Sequence, residues 1–144
     1  MNAMRCAECD EGTVRLLAKP GRRASFHFVP NLTVPADLAI PTCDRCGAEW
    51  FDADAASAYD AAMATVLEGE LRARARRLID RILQDLTVAE AEWALGVSQG
   101  YLSRIRSGKR KPSIEFVHHL AELSAQPRQR LQFLENFWNQ GTPG

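Results

Sequence analysis

The 144-residue chain balances 18 basic against 18 acidic side chains, and 46% of it is hydrophobic and 25% charged. That composition excludes wholesale disorder and suits one ordinary domain or two small ones. No apolar run approaches the roughly 18 residues that cross a bilayer, and the stretch Met1–Cys6 has no apolar signal region. No membrane role is expected, and the setting predicted is cytoplasmic.

Residues 1–52 hold all four cysteines and four of the seven prolines. Short β-prone runs (Thr13–Leu17, Ser25–Val29, Leu32–Val34) lie between these prolines and the glycines, which predicts a small β-rich module. So little apolar material calls for a staple. The cysteines form two CxxC pairs, Cys6-Ala7-Glu8-Cys9 and Cys43-Asp44-Arg45-Cys46, and two such turns can bring four thiolates to one tetrahedral site. We therefore expect a structural Zn2+ on Cys6, Cys9, Cys43 and Cys46. Disulfides or free buried thiols are the alternatives. Four thiolates leave no open position for catalysis. Gly12 and Gly47, beside the pairs, are expected to turn the backbone through positive φ. His27, between Phe26 and Phe28, is expected in a packed strand.

From Asp52 the composition changes to Ala, Leu and Arg with a sustained helical period. Asp52 and Asp54 read as helix-capping carboxylates. Gly69 is either a joint between two helices or a weak point within one. Residues 53–70 are taken as a helical connection and 71–139 as an all-helical domain, so the predicted class is α+β. Between Glu70 and Lys111 ten basic residues stand against five acidic ones, which points to a localised anionic partner.

Within that stretch Thr87 and Glu90 form a capping box, and Gly96 stops the helix it opens. Ser98 is expected to cap a second helix ended by Gly108, with Val97, Leu102 and Ile105 as its apolar seam. Two helices joined by a tight turn can lay the second in the major groove of double-stranded DNA. The cations of Lys109-Arg110-Lys111 suit phosphates. Arg72, Arg74, Arg76 and Arg77 read as one solvated face, with flanking a duplex as the alternative for some of them, and Trp93, Phe133, Phe137 and Trp138 read as core or dimer contacts. No phosphate loop, nucleophile elbow or zinc-hydrolase motif is present, so no enzyme is expected.

The run Gly96-Val97-Ser98 … Leu102-Ser103-Arg104-Ile105 … Ser107-Gly108-Lys109-Arg110-Lys111-Pro112-Ser113 resembles the Xre/Cro-type helix-turn-helix family. With the two CxxC pairs in front, the chain resembles the MqsA-type antitoxins and related zinc-ribbon regulators from Cys6 to about Leu123. The resemblance implies that Gln99, Gly100, Ser103 and Arg104 approach base edges and that Ser107, Lys109, Arg110 and Lys111 contact the DNA backbone. It also implies a homodimeric transcriptional regulator, an autoregulating repressor. The alternatives are an antitoxin whose zinc module neutralises a toxin, and a zinc-stabilised adaptor without DNA binding. Three residues depart from the family pattern. Val88 stands where a phosphate-binding Gln is common, Glu92 where a small residue is usual, and Arg106 where Glu is frequent.

Overall fold

Alternation and proline placement decide where the N-terminal strands begin and end. A computed structural model describes residues 4–141 and contains five strands: β1 (Met4–Arg5), β2 (Thr13–Leu17), β3 (Arg23–Phe26), β4 (Val29–Thr33) and β5 (Ile40–Cys43). Strands β1, β2 and β5 form an antiparallel sheet in the order β1-β2-β5, and β3 and β4 form a separate hairpin. Val14 is opposite Met4 on one side and Cys43 on the other. The end of β1, which leads into Cys6, and the end of β5, which is Cys43, therefore lie on either side of one buried residue. The sheet brings the two CxxC turns to the same place.

β2 occupies the residues that alternation predicts. The run Ser25–Val29 does not form one strand, because His27 (φ 47°) and Phe28 (φ 67°) are both left-handed and make a two-residue turn. Left-handed φ at both central residues is the turn geometry that matches strand twist. His27 is thus exposed at a hairpin tip rather than packed in a strand. β5 was not expected, since Pro41 interrupts its apolar pattern. The ring tolerates this place because Pro41 contributes its carbonyl, accepting from Trp50 N–H at 2.9 Å.

The helices are α1 (Ala53–Ile82), α2 (Val88–Leu95), α3 (Tyr101–Ser107), α4 (Ile114–Ala125) and α5 (Pro127–Asn139). Asp52 caps α1, its carboxylate accepting from Ala55 N–H at 2.8 Å. The helix runs unbroken through Gly69, so that residue is a tolerated glycine and not a joint. The chain divides into two compact units, one ending at Leu67 and the other beginning at Glu68, and α1 belongs to both. No helix among the described residues is long and apolar enough to cross a membrane.

In the second unit Leu71, Ala75, Ile79 and Ile82 recur at helical spacing along α1 and are buried, as are Leu86, Ala91, Leu102, Ile105, Phe116, Leu120 and Leu123. Helix α2 packs against α3, α4 and α5. Its start is the predicted capping box: Thr87 Oγ1 accepts from Glu90 N–H, and Glu90 accepts from Thr87 N–H. The Glu90 carboxyl is held below its ordinary value of 4.5, first by the Thr87 backbone and then by its hydroxyl. The carboxylate half of the box therefore contributes fully above pH 4.5 and is lost as pH falls through the lowered folded value.

Candidate metal centre and nucleic-acid interface

All four cysteine sulfurs lie within 4.8 Å of one another. Cys6 and Cys46 sulfurs are 3.6 Å apart and those of Cys9 and Cys43 are 3.7 Å apart. A tetrahedron with metal–sulfur bonds of about 2.3 Å has edges of about 3.8 Å. The spacing fits four thiolates around one ion and is far from the roughly 2.05 Å of a sulfur–sulfur bond. None of the four is in a disulfide, so that alternative is set aside. A closed set of four sulfurs suits zinc or iron.

Backbone amides point at the cluster, as outer partners of metal-bound sulfur do. Gly12 N–H donates to Cys9 Sγ at 3.3 Å, and Arg45 and Cys46 N–H donate to Cys43 Sγ at 3.4 and 3.5 Å. The Cys6 thiol is held below its ordinary value, first by hydrogen bonding to the backbone of Cys9. At Cys46 the backbone of Ala48 favours the thiolate, but burial and the sulfurs of Cys6, Cys43 and Cys9 outweigh it and push the thiol up to about 12. Four thiolates this close repel one another, and a bound cation removes that conflict.

The two glycines serve different purposes. Gly47 has the expected positive φ, 76°. Gly12 does not: a Cβ there would lie 2.2 Å from Cys43 Sγ, so its hydrogen is what lets the first turn close on the second. Its role is close approach, which the sequence pattern alone did not distinguish. Cys6, Val14 and Cys43 form the local core, with Cys9, Ala48 and Trp50 packed against them. Two of the four cysteines, Cys6 and Cys43, are thus also members of the local core.

In the second unit α3 is short, and its burial is one-sided. Leu102 and Ile105 are buried, whereas Gln99, Ser103, Arg104 and Ser107 are exposed. Its start departs from the expected capping. The N-cap is Gly100 (φ 86°), and no side chain caps there. Ser98 lies in the preceding turn, where its carbonyl accepts from Tyr101 N–H and its hydroxyl accepts from Arg104 at 3.3 Å.

The group that takes over the cap is Glu92. It is only 4% exposed, and its carboxylate accepts from Leu102 N–H at 3.1 Å. The unexpected carboxylate on α2 is therefore the clamp that fixes α3 against α2. Where the family usually has a small residue, this carboxylate satisfies one of the orphan amides at a helix start, which a small apolar residue cannot do.

Residues 69–134 match a family of helix-turn-helix domains. No curated protein matches the chain significantly. The second unit is thus a helix-turn-helix domain, with α2 and α3 as its two helices.

The residues expected at DNA take different places around this domain. Gln99, Ser103, Arg104 and Ser107 share the exposed side of the turn and α3, with Gly100 half-buried at its start. Ser107 donates to the Arg104 carbonyl at 3.2 Å. Arg110 stacks on Tyr101, 4.6 Å from the ring centre, and Lys109 is exposed. Lys111 is bound to Glu68 at 3.3 Å, and Arg106, which stands where Glu is frequent in the family, is bound to Asp80 at 3.0 Å. Val88 is exposed at the start of α2. Trp93, Phe133, Phe137 and Trp138 are 48–70% exposed, so none is core within this chain.

Proposed function

We propose that the protein is a zinc-containing, sequence-specific DNA-binding transcriptional regulator that represses its own promoter. The observation that carries this reading is the clamped α3, which turns Leu102 and Ile105 inward and leaves Gln99, Ser103 and Arg104 exposed on one outward side of a helix-turn-helix domain. A major groove admits an α-helix, and the side chains on that side suit base edges: Arg104 forks onto guanine and Gln99 onto adenine. Lys109, Arg110 and Ser107 take phosphates, and Lys111 joins them at the cost of its bond to Glu68. Zinc is the ion assigned to Cys6, Cys9, Cys43 and Cys46, and it holds the β-rich unit together without doing chemistry.

A homodimer reading two half-sites about 10 bp apart fits this class of domain. The exposed Phe133, Phe137 and Trp138 on α5 are the apolar surface proposed for that contact. A second reading has the specific support of Leu16, Leu17 and Phe28, exposed on the β-rich unit. There the zinc module docks a protein partner, a toxin in the antitoxin version that the resemblance to MqsA-type proteins brings.

Selection of genomic fragments by the purified full-length protein, with metal content measured on the same sample, tests the first reading. One zinc per chain and salt-sensitive capture of a palindrome from its own promoter are expected. On the captured site Arg104→Ala should weaken binding by roughly 1–3 kcal/mol and relax the preference at one base position. Reversing charge at Arg104 and Lys109 together without loss of affinity would leave the adaptor reading in its place.

A further inference from the structure

Four arginines of α1 that look equivalent in sequence, Arg72, Arg74, Arg76 and Arg77, have different surroundings. Arg72 is tied inward: it donates to Glu68 and, at 3.1 Å, to the Gly108 carbonyl at the end of α3. Asp80, two turns further along, holds Arg106 of α3 at 3.0 Å. Residues four apart lie on one side of a helix, so Arg72, Arg76 and Asp80 form a single stripe. Arg76 sits about 6 Å along the axis from each of its stripe neighbours. Both neighbours touch the C-terminal end of α3, so Arg76 lies where α1 borders that end. It is exposed and makes no salt bridge among the described residues, unlike Arg72, Arg74, Arg106 and Lys111.

The charges around it sharpen the point. The Glu68 carboxyl is held below its ordinary value, first by Arg72 and then by Lys111, so it is ionised at neutral pH and offsets charge on the loop after α3. Asp80 offsets Arg106. Arg76 is the cation of this stripe that forms no salt bridge among the described residues. On α3, Arg106 faces α1, and Ser103 and Ser107 are the exposed residues beside it. Arg104 leans the other way, toward Ser98. A duplex seated on the exposed side of α3 thus carries one of its backbones along the α1 stripe.

We infer that Arg76 is a phosphate-contacting residue for double-stranded DNA, extending the interface of the helix-turn-helix domain onto the side of α1. This inference rests on the DNA-binding reading above and adds a residue to it. A phosphate contact carries no base preference and releases counterions. Arg77, one position on, points away from Leu71, Ala75 and Ile79 and from α3, and serves as the control of equal charge.

The test is equilibrium binding of the full chain, wild type and variants, to its selected fragment and to an unrelated duplex between 50 and 200 mM salt. Arg76→Gln should weaken both duplexes by the same factor, roughly eightfold near 0.1 M, and lower the salt slope by about one. Arg76→Lys should restore most of the loss, Arg77→Gln should change neither quantity, and thermal melting should be the same for all. An Arg76→Gln protein with wild-type affinity and slope overturns the inference while leaving the DNA reading intact, as does an equal loss in Arg77→Gln. A wild-type protein that binds neither duplex removes the reading and the inference together.

Discussion

Replacing Cys43 by serine in the intact chain should release the metal and unfold the β-rich unit while the helices from Glu68 onward keep their structure. Cys43 is at once a ligand, the acceptor of two backbone amides and a member of the three-residue local core. Its loss removes all three supports together. Structural zinc contributes on the order of 10 kcal/mol to small modules of this kind, more than a core of this size supplies by itself. The second unit has its own buried core from Leu71 to Leu131 and no cysteine, so it has no reason to follow. Titration with a strong chelator, watched by circular dichroism with metal content measured in parallel, should give the same outcome in the unsubstituted protein. Gly12→Ala provides an independent route: it keeps every ligand but drives a Cβ to 2.2 Å from Cys43 Sγ. Its metal affinity should fall sharply as well. Chelated protein that retains its strand signal and melts as before would show that the sulfurs need no ion.

How much of this was legible in the sequence depended on how local the determining physics is. The capping box at Thr87 and Glu90 and the stop at Gly96 involve groups a few residues apart, and both form as the pattern implies. The CxxC pairs are also local, and only their meeting required the sheet. Other features were hidden because their partners are distant or their cues were missing. No Asn or Gly marks the turn at His27 and Phe28. Ser98 loses its expected cap because Glu92, ten residues from the amide it binds, takes the start of α3. The equal-looking arginines of α1 separate only when α3 packs beside them. Trp93 and the aromatics of α5 are sequence-hydrophobic yet exposed, since hydrophobicity alone does not say that a partner surface exists within the chain.

Glu92→Ala should destabilise the helix-turn-helix domain by roughly 1.5–3 kcal/mol, the usual worth of a hydrogen bond to a charged group. Leu102 is the second residue of α3, so its amide has no partner within the helix. Gly100 offers no side chain to cap it, and removing the carboxylate leaves a buried donor beside a small void. For a domain of this size the loss corresponds to roughly 4–8 °C in melting temperature per kcal/mol. Glu92→Gln keeps an acceptor of the same shape and should recover part of that loss, separating the hydrogen bond from the volume. Because the clamp sets the angle of α3, DNA affinity of Glu92→Ala should fall for the selected site more than for unrelated duplex, even at temperatures where the domain is fully folded. That asymmetry distinguishes a displaced reading helix from a lost phosphate contact, which weakens all sequences alike. Denaturant unfolding of the three proteins decides the stability claim. An alanine variant within about 0.5 kcal/mol of wild type, the range of an ordinary surface change, would mean that water or the backbone replaces the carboxylate and that Glu92 holds nothing in place.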